Sequence, residues 1–473
     1  MMQNEDKAGR RTRRALVVSR EDFLYDVSSL YKSFYPDDDC QILTGFDEKN
    51  KAEDFDEVMT LDCPAEGDKK LLKREVCRKL YRKLSQRTGH DLPWGTLSGV
   101  RPTKIPMKGL NEGRSEEEIR SYMKETYLVS DKKIDLAVEI AKKEKALIDR
   151  MGRGVSLYVG IPFCPSICSY CTFSSSPISR WESRIDDYLE ALEKEMRAVR
   201  DCLTEPVHTI YIGGGTPTSL PPQALSRLLD AIDRIYPTRE VMEYTIEAGR
   251  PDTLTKEKLA IIRDHPIDRI SVNPQTMNAG TLKKIGRAHS PEETIRAFHA
   301  AREAGFDNIN MDLIMGLPDE GIAEISHTLE EIGKLGPDSL TVHSLALKRA
   351  SRLTAERREG EDIFMKNSEA VMDMASEAAK GMGLEAYYMY RQKNMRGSLE
   401  NVGYARPGKE SLYNILIMEE TESILACGAG ASTKAVHRDG FIERLINPKD
   451  VINYMSRIDE MIEKKTDRSL WDH

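Results

Sequence analysis

From residue 156 onward the chain repeats one unit, a short apolar run followed by a stretch of helical periodicity. Runs at 156–161, 208–213, 243–248, 268–274, 308–315 and 339–346 read as strands, and the stretches 181–201, 223–236, 255–264, 291–304 and 322–334 between them read as helices. Strands joined by crossovers this long lie parallel, because antiparallel neighbours need only a tight turn. Six units are too few to close an eight-stranded barrel, so the pattern predicts an α/β fold built on an open, partial (β/α)6 barrel. Chemistry in such folds collects at the C-terminal ends of the strands.

The flanks have a different character. Before the repeat, 15–18 and 57–61 read as strands and 69–86 as a basic amphipathic helix. The Pro- and Gly-punctuated segment from Trp94 to Lys104 reads as a loop, and helices follow at 115–127 and 131–151. These residues predict a small N-terminal α/β domain at 1–152, the partial barrel at 153–350 and a C-terminal α+β region at 351–473. The chain has 473 residues with a formal net charge of −8, which argues against general nucleic-acid binding. No stretch reaches the length of a membrane span or a signal peptide, so a cytoplasmic location is expected.

Cys164, Cys168 and Cys171 follow the first barrel strand. Structural zinc wants four closed ligands, and no second C-x-x-C or paired-histidine motif follows. A disulfide framework does not suit three clustered cysteines with the other five scattered singly. Three thiolates holding an iron-sulfur cube, with one iron left open, fit the spacing best.

Further unusual residues also stand at strand ends. The run Gly213-Gly214-Gly215-Thr216-Pro217 ends the second strand and allows close backbone approach to a polar ligand, although a plain turn would look the same. Glu247 ends the third strand and Gln275 follows the fourth, while Arg287 sits in Gly286-Arg287-Ala288-His289. Alone, each reads equally as a solvated polar residue. Asp312 differs, because a carboxylate interrupting an apolar parallel strand needs a partner, such as ribose hydroxyls or Arg287. After the barrel, Tyr387-Tyr388-Met389-Tyr390-Arg391-Gln392-Lys393-Asn394-Met395-Arg396 combines aromatics with cations. That mixture suits a flat, multiply carboxylated molecule, or else an aromatic edge strand followed by a solvated basic loop.

The C-x3-C-x2-C spacing, with Tyr170 before the third cysteine, closely resembles that of radical S-adenosylmethionine (SAM) enzymes. Taken with the glycine run, Glu247, Gln275, Gly286 to His289 and Asp312 to Pro318, the series from about 155 to 435 resembles the oxygen-independent coproporphyrinogen III oxidase family. The Trp94–Lys104 and Tyr387–Tyr404 stretches resemble its HemZ-type branch. The resemblance implies a [4Fe-4S] cluster on Cys164, Cys168 and Cys171, and a SAM pocket lined by Tyr158, Gly214, Thr216, Glu247, Gln275, Arg287 and Asp312. It also implies a tetrapyrrole substrate and an unidentified electron donor, while Arg391, Lys393 and Arg396 of the aromatic stretch are the candidate substrate contacts by their own chemistry. The implied reaction is oxidative decarboxylation of coproporphyrinogen III propionates to vinyl groups. Two positions depart from the pattern: Phe173 stands where the oxidases carry a further cysteine, and Tyr413-Asn414 where related haem chaperones carry His-Asn. A haem carrier, or methyl transfer with ring opening on a tetrapyrrole, are the alternatives the scaffold allows.

Overall fold

The computed structural model describes residues 12–36, 38–44, 54–345, 368–392 and 399–467. The N-terminal part carries β1 (Arg13–Val18), β2 (Asp39–Thr44) and β3 (Glu57–Leu61) as a parallel sheet in the order β2-β1-β3. Sequence periodicity missed β2, whose DCQILT stretch alternates half-buried with exposed residues, the pattern of an edge strand. The helices Leu24–Phe34 and Lys69–Thr88 cover this sheet and bury Phe23, Val27, Leu30, Val76, Leu80 and Leu84 with Leu16 and Val18.

The barrel unit begins with β4 (Val155–Ile161), followed by the short pair β5 (Phe163–Cys164) and β6 (Ser176–Pro177). β7 (Val207–Gly214), β8 (Glu243–Glu247), β9 (Arg269–Ser271), β10 (Ile309–Met315) and β11 (Ser339–Ser344) then follow in chain order and pair in parallel, β7 with β4 and each later strand with the one before it. β4 and β10 are buried along almost their whole length, as strands covered on both faces must be. The helices between them bury one stripe each: Ile185–Asp201, for example, turns Ile185, Leu189, Leu192, Met196 and Val199 inward. That helix starts later than its periodicity suggests, because 178–180 and 182–184 form single 3-10 turns. β9 is also shorter than expected. Gln275 adopts φ +68 and bends the chain away, yet still bridges to Leu313 of β10.

The remaining strands extend the same sheet at both ends. β12 (Glu385–Tyr390) and β13 (Asn401–Ala405) join antiparallel beyond β11. β14 (Ser423–Cys427) runs parallel to β4, with β15 (Ser432–Val436) and β16 (Ile442–Ile446) antiparallel outside it. The result is an 11-stranded sheet in the order β12-β13-β11-β10-β9-β8-β7-β4-β14-β15-β16, a partial barrel that does not close. Residues after 351 therefore build both edges of the sheet.

The cores divide near residue 93. Leu92 packs with the N-terminal cluster, whereas Trp94, Ile119, Met123, Ile134 and Val138 belong to the large core with the barrel. The helices Lys104–Asn111, Glu116–Tyr127 and Asp131–Ile148, expected with the N-terminal domain, thus pack with the barrel unit. A buried ion pair anchors them: Lys133 Nζ donates to Glu400 Oε1 at 2.6 Å, and Trp94 Nε1 donates to Glu400 Oε2 at 2.7 Å.

Candidate active site

The ends of β4, β7, β8, β9, β10 and β11 open on one cleft of about 250 Å³. Its lining includes Cys164, Cys168, Cys171, Gly214, Thr216, Glu247, Gln275 and Asp312, brought together from five strand ends, with Arg287 from the segment after the helix Ala279–Lys284. The geometric reason is the parallel topology, which sends every C-terminus to the same side.

The cysteine loop leaves β5 and is pinned by backbone bonds. Ser169 N–H donates to Ile285 O at 3.0 Å and Cys171 N–H to Cys168 O at 3.1 Å. Cys164 Sγ and Thr216 Oγ1 stand 3.5 Å apart. Burial pushes the Cys164 and Cys171 thiols up, with the Thr216 contact opposing it at Cys164 and the Phe173 backbone at Cys171. The glycine run must be glycine here. Gly214 has φ +112, and a Cβ on Gly215 would lie 2.5 Å from Phe163 O and 3.0 Å from Cys164 Sγ.

The polar wall is arranged strand by strand. Tyr211 donates to Glu247 Oε1 at 2.6 Å, but burial, with Asp312 adding to it, still pushes the Glu247 carboxyl up to about 7. Burial acts the same way on Asp312, yet the contacts with His343, Asn310 and Thr341 together outweigh it and keep this carboxyl below its ordinary value. His343 Nε2 stands 3.8 Å from Asp312 Oδ2, and Asn310 Nδ2 donates to Oδ1 at 2.7 Å. Arg287 does not pair with Asp312. Its guanidinium donates to Asn273 O (2.6 Å), Gly249 O (3.1 Å) and the Tyr170 hydroxyl (3.1 Å). Gln275 Oε1 is buried and finds no hydrogen-bond partner among the described residues.

Tyr158 lies just behind the cleft wall. Its hydroxyl is 3.4 Å from where a Cβ on Gly214 would stand, and its ring stacks against Tyr211 and Tyr413. Ile314, Leu345, Tyr390 and Phe173 also line the cleft. Phe173 is 75% exposed.

Arg391 faces elsewhere. Its guanidinium donates to Leu97 O and stands 5.7 Å from the Trp94 ring, while its backbone N–H donates to Val100 O at 2.7 Å. The Trp94–Lys104 loop therefore takes this cation away from the cleft. Arg101 secures the same loop through Met418 O (2.7 Å) and Glu420 (2.7 Å). Lys393 and Arg396 lie outside the described residues.

Residues 158–332 match the model of the Radical SAM superfamily. Across 404 residues the chain is 44% identical to the oxygen-independent coproporphyrinogen-III oxidase-like protein HemZ of Bacillus subtilis (strain 168), covering 84% of this chain and 81% of that one. The chain belongs to the oxygen-independent coproporphyrinogen-III oxidase-like family of radical SAM proteins. The haem chaperone HemW of the same organism is 32% identical over 309 residues, 64% of this chain and 76% of that one. In fold, this radical SAM protein is similar to the coproporphyrinogen III oxidase HemN of Escherichia coli, with a TM-score of 0.52 and 24% identity over 66% of this chain and 70% of that one.

The cofactors of a radical SAM protein are a [4Fe-4S] cluster and SAM. The donor set fits them. Among the described residues no three His, Cys, Asp or Glu side chains are grouped to hold one metal ion, which needs every donor within about 2–2.3 Å of a single point. A four-iron cluster instead takes thiolates spread around a wider body, and three buried or half-buried thiols line this cleft. Beside them, the orphaned Gln275 Oε1 and the half-satisfied Glu247 are acceptors awaiting a donor such as an ammonium or a hydroxyl.

Several site residues escaped the sequence analysis. Arg250, Asn273 and His343 line the cleft, and Tyr211 orients Glu247; Tyr390, from the aromatic stretch named above, lines it too. A signal existed for Arg250, which stands three residues after the end of β8 where the strand-end rule applies. His343 and Tyr211 gave none, since each lies inside a strand and acts through a side chain whose direction only the fold supplies.

Proposed function

We propose that this chain carries out the oxygen-independent oxidative decarboxylation of coproporphyrinogen III propionates to vinyl groups, yielding protoporphyrinogen IX. The observation that carries this reading is a cleft whose wall combines thiols and SAM-type polar residues with Phe173, Tyr390, Leu345 and Ile314. A flat macrocycle with an apolar body and polar rim suits such a wall. The 44% identity to a protein named as coproporphyrinogen-III oxidase-like supports the same choice.

In this reading Cys164, Cys168 and Cys171 hold the cluster, and Tyr158, Gly214, Thr216, Glu247, Gln275, Arg287 and Asp312 hold SAM. When bound, the pair supplies a 5′-deoxyadenosyl radical able to remove a hydrogen atom from a propionate β-carbon. The protein's own work is placement. Glu247 and Gln275 accept hydrogen bonds from the methionine end, and Asp312, kept ionised beside His343, accepts from ribose hydroxyls. Tyr170 and Arg287 lock the cysteine loop to the β9 end.

A haem carrier on the same scaffold has weaker support. The residue at the position of the chaperones' histidine, Tyr413, is buried and stacks on Tyr211 at 4.4 Å. Anaerobic reconstitution followed by incubation with SAM, a low-potential reductant and coproporphyrinogen III should yield 5′-deoxyadenosine and vinyl products. Cys168→Ala should abolish both. Stoichiometric haem binding with no product after long incubation would reject the enzyme assignment.

A further inference from the structure

Three side chains beside the cysteine loop have no part in the function proposed above: the buried Arg250 and His289, and Asp252, which reaches the surface. Arg250 follows β8, and its side chain is 3% exposed. Its fork grips Asp252, Nε to Oδ1 at 2.9 Å and Nη2 to Oδ2 at 2.8 Å. Nη1 turns the other way, donating to Ser166 Oγ at 3.0 Å and standing 3.8 Å from Cys168 Sγ. A bidentate carboxylate already satisfies the guanidinium as an ion pair. The third nitrogen is thus directed at the cysteine loop, and the pair presents its positive end to Cys168.

The surroundings leave that polarity intact. His289 Nδ1 lies 3.7 Å from Asp252 Oδ1, too long for a hydrogen bond, and burial holds the imidazole below its ordinary pKa. Arg287 also bears on Cys168, while its own bonds run to Gly249, Asn273 and Tyr170. Ser166 completes the tether, donating to Gly286 O at 3.3 Å.

We propose that Arg250 is a positioning residue for the cluster, donating toward Cys168 Sγ and favouring the one-electron-reduced state, with Asp252 as the brake on that effect. The inference rests on Cys168 being a cluster ligand. Three thiolates on a four-iron core already carry net negative charge, and reduction adds one electron from an external low-potential donor with no bond made or broken. A fixed cation and a hydrogen bond to the ligand sulfur both stabilise the added charge. Removing Arg250 therefore lowers the potential, and removing the Asp252 charge raises it.

The test uses full-length protein, reconstituted anaerobically and assayed for iron, then titrated with dithionite under EPR without SAM or substrate. Arg250→Gln should keep its iron while its reduced-to-oxidised ratio at fixed potential falls about tenfold, about 59 mV for one electron. Asp252→Asn should shift the opposite way, and Arg250→Lys should lie between wild type and Arg250→Gln. A purely structural tether would change iron retention without these opposed shifts. An iron-replete Arg250→Gln with the wild-type potential would overturn the proposal, as would Asp252→Asn moving in the same direction. If Arg250→Gln loses its iron, Asp252→Asn decides alone, and an unchanged or lowered potential there rejects the proposal. Wild-type protein that takes up no cluster would instead reject the functional reading.

Discussion

Glu195 and Glu247 are both removed from bulk solvent in the barrel unit, yet they have opposite surroundings. Glu195 sits on the helix Ile185–Asp201 and is fully buried. Its Oε1 accepts from Lys465 (2.6 Å) and Asn447 (2.9 Å), and its Oε2 from Tyr454 (2.7 Å) and the Gly428 N–H (2.8 Å). Those four donors come from the segment that follows β14, so one carboxylate fastens the C-terminal elements to the sheet. Glu247, at the mouth of the barrel, has Tyr211 as its side-chain donor and the Gly214 backbone beside it. Its carboxyl is pushed up to about 7. A structural carboxylate is saturated, whereas one meant for a ligand is left with capacity and raises the energy of the empty protein.

The largest effect expected from breaking this contrast is at Glu195. Glu195→Gln removes the carboxylate charge beside the Lys465 ammonium and turns an amide N–H₂ toward donors, so it should destabilise the fold by about 3–5 kcal/mol. Urea denaturation measures this, and a loss below about 1 kcal/mol would show that the hub is not needed.

At Glu247 the sign reverses. Its folded pKa lies above the ordinary 4.5, so the native state binds more protons than the unfolded state between those values. Its contribution to stability is therefore lost as pH rises from about 4.5 to about 7, by about 3 kcal/mol, and is flat above. Glu247→Gln should remove this slope and leave the protein as stable as wild type, or more so, at pH 8. The same variant should weaken SAM binding roughly tenfold to a hundredfold, about 1.4–2.8 kcal/mol. Stability profiles across pH and equilibrium dialysis with SAM check the two halves separately, and unchanged SAM affinity would remove Glu247 from the pocket.

The smallest effect is at Trp94. Trp94→Phe keeps most of the buried ring but deletes the 2.7 Å bond to Glu400. A cost of about 1–3 kcal/mol is expected, because the Lys133 partner of Glu400 remains. Since the Trp94–Lys104 loop docks away from the cleft, cluster content and SAM affinity should not change. A drop in either would mean that the loop shapes the site.

Legibility followed the range of the interactions. The cysteines, the glycine run, Glu247, Gln275 and Asp312 were visible because each interrupts a local pattern at a strand end, and strand ends can be counted along the chain; Arg287, just after the helix Ala279–Lys284, was visible only through the family resemblance. Arg391 looked equally suited to a carboxylated ligand, but a cation's use depends on which oxygen reaches it first. Here that is Leu97 O, nearly three hundred residues earlier in the chain. Tyr211 and His343 were passed over for the complementary reason, since each acts on a carboxylate of another strand, Glu247 and Asp312.

Local periodicity was thus enough to determine the parallel strand-helix order, and that order alone requires the cysteines and their polar companions to share one face. Tertiary structure decided the rest. It set β14 beside β4 and β12–β13 beyond β11, moved the helices after Trp94 into the barrel core, and turned Arg250 onto Cys168 and Arg391 onto the N-terminal loop. Periodicity is a property of neighbours along the chain, while the partner of a buried charge is fixed only when distant segments pack and leave it one acceptor within reach.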